Sequence, residues 1–130
     1  MRTICNEKNN NFGVIFLKVA IVGSRDIENT NEVYQKICSA IPLNCTEIVS
    51  GGAIGVDTLA ERYAKEHGLP ITVFLPEYEK YGKNATLLRN TQIVKHADKI
   101  LVFMHNESRG SVDTANKCLA QRKDLEIHMV

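Results

Sequence analysis

Three short stretches of this sequence combine small residues with charge in a way that suits a phosphate. They are Gly23-Ser24-Arg25, Ser50-Gly51-Gly52-Ala53-Ile54-Gly55-Val56-Asp57-Thr58 and Ser108-Arg109-Gly110-Ser111. Glycine lets a backbone turn sharply and approach a ligand. A helix that starts just after it presents unpaired N–H groups and the positive end of its dipole. Arginine adds a planar fork that matches phosphate oxygens, and Arg25 directly follows an apolar run. The middle stretch reads G-G-x-x-G at Gly51, Gly52 and Gly55, with no lysine after Gly55. It is neither the G-x-G-x-x-G of dinucleotide dehydrogenases nor the G-x-x-x-x-G-K-[ST] of P-loops. Ordinary kinase, ATPase and NAD-dehydrogenase chemistry is thereby excluded.

The carboxylates available for proton transfer are Asp57, Glu107 and Asp113. Asp57 falls in the first turn of a helix, where an acid favours the dipole. It could equally hold a ribose hydroxyl or fix Arg25 or Arg89. Arg89 and Asn90 lie mid-helix, after a loop carrying Tyr78, Tyr81 and Lys83. That loop reads either as a lid whose tyrosines stack on a base or as a mobile surface segment. His67, His96, His105 and His128 are too dispersed for a metal set, and neither H-E-x-x-H nor C-x-x-C spacing occurs. His67 and His96 read as cations at helix ends. His105 and Glu107 sit at a strand end without an identifiable partner.

These residues need a scaffold that brings loop ends together. At 130 residues the chain fits one domain, and a chain of this length can bury about two-thirds of its unfolded surface. We read 1–11, rich in asparagine, as a flexible tail or edge segment, and 12–130 as a single domain. Strands are predicted over Phe12–Val22, Thr46–Val49, Pro70–Leu75, Lys99–Met104 and Leu125–Val130. Helices are predicted from a cap at Thr30 or Asn31 through Ile41, over Val56–His67, Ala85–His96 and Ser111–Gln121. Glu77–Lys83 and His105–Gly110 are predicted loops. Leu87, Leu88, Ile93 and Val94 are expected to face inward on the third helix, and Val112, Ala115, Cys118 and Leu119 on the last. Strand and helix alternate five times, the pattern of an α/β fold with a mainly parallel five-stranded sheet in a three-layer, Rossmann-like arrangement. Right-handed crossovers favour the order 3-2-1-4-5, with the switch point between the first and fourth strands.

Net charge is +1 and the hydrophobic content 44%. There is no global basic field, so an anion site must be local. Cys5, Cys38, Cys45 and Cys118 are scattered. With no signal peptide they read as reduced thiols of a cytoplasmic protein. The longest apolar run is broken by Lys18 and is far too short to span a bilayer.

Together Val19-Ala20-Ile21-Val22-Gly23-Ser24-Arg25, Ser50 to Asp57, Tyr81-Gly82-Lys83, Arg89-Asn90, Ala97-Asp98 and Ser108 to Ser111 resemble the SLOG superfamily, in particular its YspA-like branch of stand-alone domains. The resemblance covers Lys18 to the C-terminus. It implies a Rossmann-like domain binding a nucleotide or a nucleotide-derived ligand such as AMP or ADP-ribose. Relatives in that superfamily include cytokinin-activating phosphoribohydrolases, molybdenum-cofactor carrier proteins and the DNA-processing protein A group, the last of which binds single-stranded DNA. The phosphoribohydrolases carry P-G-G-x-G-T-x-x-E after the fourth strand. Here Thr114 stands at the glutamate position and the double glycine is missing. Asp113 is one residue away, a rotation of about 100° on a helix.

The expected function is binding or sensing of such a ligand, with phosphates on Gly51-Gly52 and Gly110-Ser111, and Arg25 and Arg89 neutralising them. No metal or cofactor is required beyond the ligand. The alternative is a hydrolase or transferase acting at an N-glycosidic or phosphate bond, with Asp57, Glu107 or Asp113 as the acid–base group. Single-stranded nucleic-acid binding is a third reading, opposed by the near-neutral charge and the few aromatic residues. A homo-oligomer is compatible with the apolar helix faces.

Overall fold

The computed structural model describes residues 8–9, 11–12, 16–28, 30–105 and 109–130. Lys8–Asn9 pairs antiparallel with Asn11–Phe12 in a small ladder separate from the main sheet; the rest of 1–11 lies outside the described residues. The main elements follow in order. They are β1 (Leu17–Gly23), α1 (Asn31–Ala40), β2 (Cys45–Ser50), α2 (Val56–Glu66), β3 (Ile71–Val73), α3 (Tyr78–Tyr81), a 3-10 turn (Gly82–Asn84), α4 (Ala85–His96), β4 (Lys99–Met104), α5 (Arg109–Ala120) and β5 (Asp124–Met129).

The five strands are all parallel and lie in the order β3-β2-β1-β4-β5, the expected 3-2-1-4-5. Central strands of such a sheet are apolar on both faces, and β1 shows why. Val19 and Ile21 point into one core with Ile37 of α1 and Leu59 of α2. Ala20 and Val22 point into another with Ile93 and Val94 of α4 and Cys118 of α5. The period-2 alternation of strand side chains thus builds two cores and three layers. Each buried Val, Ile or Leu contributes about 1.5–3 kcal/mol. Thr30 is the cap of α1, its hydroxyl accepting from the Val33 N–H at 3.2 Å. Val56, Leu59, Ala60, Tyr63 and Ala64 of α2 are all buried.

Several boundaries differ from the sequence reading. The first strand begins at Leu17 rather than Phe12; 13–15 lie outside the described residues, and Phe16 is exposed ahead of the strand. Its partners, β2 from Cys45 and β4 from Lys99, reach no further back. The third strand shortens to Ile71–Val73 between Pro70 and Pro76, although Phe74 still donates to the Ser50 carbonyl at 2.9 Å. Glu77–Lys83 is a short helix and a 3-10 turn rather than a loop. The last helix starts at Arg109, so Gly110 and Ser111 lie in its first turn.

Leu87 and Leu88 are each 41% exposed and Leu119 is 66% exposed, against the inward placement expected for all three. Thr86, Arg89 and Asn90 of α4 wall a cavity, and Leu88 lines a separate groove beside α3. The buried stripe of α5 is Ser111, Thr114, Ala115 and Cys118, and Leu119 falls beside it. Cys38, Cys45 and Cys118 are free thiols. Among the described residues no helix is long and apolar enough to cross a membrane.

Candidate functional site

A cavity of about 430 Å³ opens at the carboxyl ends of β1 and β2, beside the start of α5. That is where an α/β sheet offers its loop ends to a ligand, and the size falls within the ordinary range for ligand sites. The β1 end supplies Gly23, Ser24, Arg25 and Asp26. The turn after β2 supplies Gly51 and Ala53, with Asp57 behind it. Thr86, Arg89 and Asn90 come from α4, and Gly110, Ser111 and Thr114 from α5.

The glycines have separable reasons. A Cβ on Gly23 would lie 2.6 Å from Val56 Cγ2 and 2.8 Å from the Phe103 carbonyl oxygen, so β1 can pass between α2 and β4 only without one. Gly55 has φ +81°, and a Cβ there would lie 2.7 Å from the Ile27 carbonyl oxygen. At Gly110 φ is not positive, and a Cβ would meet nothing within 4 Å among the described residues. The described residues make no demand for glycine there.

Asp57 is buried at the start of α2 and braces the turn. Its Oδ2 accepts from the Ala53 N–H at 2.8 Å. Burial pushes its pKa from 3.8 up to about 6, although the Ala53 N–H, the Arg89 charge and the Gly51 N–H all favour the carboxylate. Arg89 reaches across from α4. Its Nη1 donates to the Gly51 carbonyl at 2.7 Å, and its Nε donates to Asn90 Oδ1 at 3.0 Å. Burial lowers the guanidinium pKa from its ordinary value, Asp57 and Tyr78 oppose that, and the Arg25 charge adds to it. Arg25 and Arg89 line the same cavity.

A second network fixes α5 against α4. Asn90 Nδ2 donates to Asp113 Oδ2 at 3.1 Å and to the Gly110 carbonyl at 3.5 Å. Asp113 is also paired with Lys117, whose ammonium donates to the Leu87 carbonyl at 3.0 Å. Thr114 donates to the Gly110 carbonyl at 3.0 Å. The first turn of α5, with its N–H groups, is thus held at the cavity mouth.

Of the residues singled out in the sequence, Gly23, Ser24, Arg25, Gly51, Asp57, Arg89, Asn90, Gly110 and Ser111 meet on this wall. Ser50, Gly52 and Gly55 shape the turn instead; Ser50 Oγ accepts from the Gly52 N–H at 3.2 Å. Arg109 is exposed and off the wall, Asp113 braces from outside, and Glu107 and Ser108 lie outside the described residues. Tyr78, Tyr81 and Lys83 do not line the cavity. Sequence reasoning missed Thr86 and did not count Thr114 as a site residue. Each stands three positions from a residue it did select, Arg89 and Ser111, and helical spacing was the available signal. Among the described residues no group of three or more His, Cys, Asp or Glu could hold a metal ion.

A family model described as DNA recombination-mediator protein A matches residues 14–78, half of the chain. The gene 61 protein of Mycobacterium phage D29 is 32% identical over 103 residues, covering 72% of this chain and 82% of that protein. The solved structure of DNA processing protein A from Streptococcus pneumoniae matches with a TM-score of 0.69 at 23% identity, over 86% of this chain and 50% of its own. This chain therefore spans half the length of that solved protein, and the likeness shows the shared Rossmann-like fold. The DNA-processing protein A group, one of the relatives implied by the SLOG resemblance, is thus matched.

Proposed function

The chain belongs to the DNA recombination-mediator protein A family, and from that premise we propose that it binds DNA, taking one nucleotide of a strand into the cavity between Arg25 and Arg89. The charge argument against nucleic acid needs correction on this reading. A net charge of +1 describes the whole surface, whereas a strand gripped at one point needs cations only where its phosphate sits. The observation that carries the proposal is that Arg25 and Arg89 line one cavity beside the first turn of α5 at Gly110. A phosphate there meets the Arg25 fork, the Nη2 donors that Arg89 keeps beyond its bonds to Gly51 and Asn90, and the backbone N–H groups at the start of α5. The hydroxyls of Ser24, Ser111 and Thr114 supply polar edges for the sugar or base.

Anisotropy of a labelled single-stranded oligodeoxynucleotide tests this. Saturable binding is expected. Arg25→Ala should weaken it about 10-fold or more, the loss typical of one charge-assisted hydrogen bond. Arg89→Ala should do worse, because the Gly51 turn loosens with it. With one phosphate neutralised, log K should fall with log salt at a slope of only about −0.7. No saturable binding, or both variants binding like wild type, would sink the proposal.

A second reading stays with a free nucleotide-derived ligand such as AMP or ADP-ribose, favoured by the pocket-like volume and buried hydroxyls of the same cavity. The same assay separates the two. A mononucleotide that displaces the oligonucleotide with an affinity equal to or tighter than the oligonucleotide's own would favour the free ligand; one that displaces it only more weakly would favour the strand.

A further inference from the structure

We propose that the groove on the far side of Arg89, between α3 and α4, is a second nucleotide subsite in which a base stacks on Tyr81, so that the chain grips two consecutive nucleotides of one strand. This rests on the reading of the Arg25/Arg89 cavity as a nucleotide site.

Several observations carry it. The groove encloses about 230 Å³, and Arg89 stands on the wall of both cavities. Its guanidinium lies between the Gly51 carbonyl and the Phe74 carbonyl at the end of β3. One side chain thus separates the two spaces and can face a phosphate that links residents of both. The groove is chemically unlike the first cavity. Leu75, Leu88 and Tyr81 give it an apolar lining, 62%, 41% and 39% exposed. Gln92 and Thr91 offer hydrogen-bonding groups along its α4 side, and Lys95 stands one turn further along. An apolar slot with one ring, a polar edge and a cation at each end matches a base with phosphates on either side.

The distribution of tyrosines supports the same assignment. Tyr34 and Tyr63 are buried in the core, whereas Tyr78 and Tyr81 are exposed together on α3. Lys80 Nζ lies 5.1 Å from the Tyr81 ring centroid, so the ring already attracts a cation and carries positive charge near its face. Glu77 on the same wall opposes phosphate there, which leaves the Arg89 and Lys95 ends as the places for the backbone.

The test uses 5′-phosphorylated oligothymidylates of one, two and four nucleotides, titrated by calorimetry into the intact chain. Stacking on an aromatic side chain is worth about 1–3 kcal/mol per base, or roughly 5- to 150-fold in affinity. The dinucleotide should therefore bind at least about 5-fold tighter than the mononucleotide. The double variant Tyr81→Ala, Leu88→Ala should lose that gain and keep the mononucleotide affinity. Tyr81→Trp, which keeps an aromatic ring at that position, should keep the gain. Because the sequence has no tryptophan, this variant also reports stacking directly: its emission should be quenched by the dinucleotide and not by the mononucleotide. A gain that survives the double variant, an unquenched tryptophan, or a dinucleotide no tighter than a mononucleotide each overturns the subsite while leaving the first cavity standing. If the wild-type chain binds none of the three, the first cavity's reading falls and this one falls with it.

Discussion

Asp57 has a folded-state pKa of about 6 against an ordinary 3.8. A group whose pKa is raised on folding contributes stability that is fully present below its unfolded value and is lost as pH rises through its folded value. The window here runs from about pH 4 to pH 6, and the two-unit shift corresponds to roughly 3 kcal/mol. The wild-type chain should therefore lose stability across that window. Asp57→Asn, neutral throughout and still able to accept from Ala53, should flatten the profile and be the more stable variant at pH 7. Urea denaturation at pH 4, 5, 6 and 7 measures this, and parallel profiles for the two proteins would refute it. The sequence located Asp57 in the first turn of α2 because helix periodicity is local. It could not show the carboxylate buried beneath its own turn, since that depends on Arg89 and α4 closing over it from 32 residues away.

At the level of elements, the two glycine-bearing turns should respond oppositely to one added methyl group. Gly55→Ala places a side chain at φ +81° and against the Ile27 carbonyl; the loss should be at least about 1 kcal/mol. Gly110→Ala adds helix propensity in open space and should raise stability by up to about 1 kcal/mol, yet weaken oligonucleotide binding by obstructing the backbone. Denaturation and anisotropy on the same two variants check both halves. A Gly110→Ala protein that binds as well as wild type would remove Gly110 from the proposed site. Glycine spacing made these turns visible before the structure did. The short helix α3 was not visible, because four residues closed by Gly82 show no periodicity. Nor was the α4–α5 brace, in which Asn90 meets Asp113 across 23 positions. Both α4 leucines were misplaced because an apolar stripe says that a face is buried, not how far along the helix its cover extends.

For the whole molecule, alternation of strand and helix was enough to give the sheet order, since right-handed crossovers leave few alternatives. The same order has a kinetic corollary. β1 is synthesised first among the five strands and ends in the middle of the sheet. Its second neighbour, β4, begins at Lys99, and just before it Lys18 and Asp98, 80 residues apart, clamp the two segments reciprocally: the Lys18 N–H donates to Asp98 Oδ2 at 2.9 Å, and the Asp98 N–H to the Lys18 carbonyl at 2.8 Å. Until Asp98 has left the ribosome, this apolar central strand has one edge bare, an invitation to pair with another nascent chain. A fragment ending at residue 97 should sediment as aggregate, whereas the full chain should refold without loss at low concentration and with falling yield as concentration rises. A soluble, monomeric fragment would contradict this. Placing the site-bearing strand at the centre thus binds the ligand turns to a rigid sheet, and makes the interval between the synthesis of Leu17 and that of Lys99 the time when this chain most needs a chaperone.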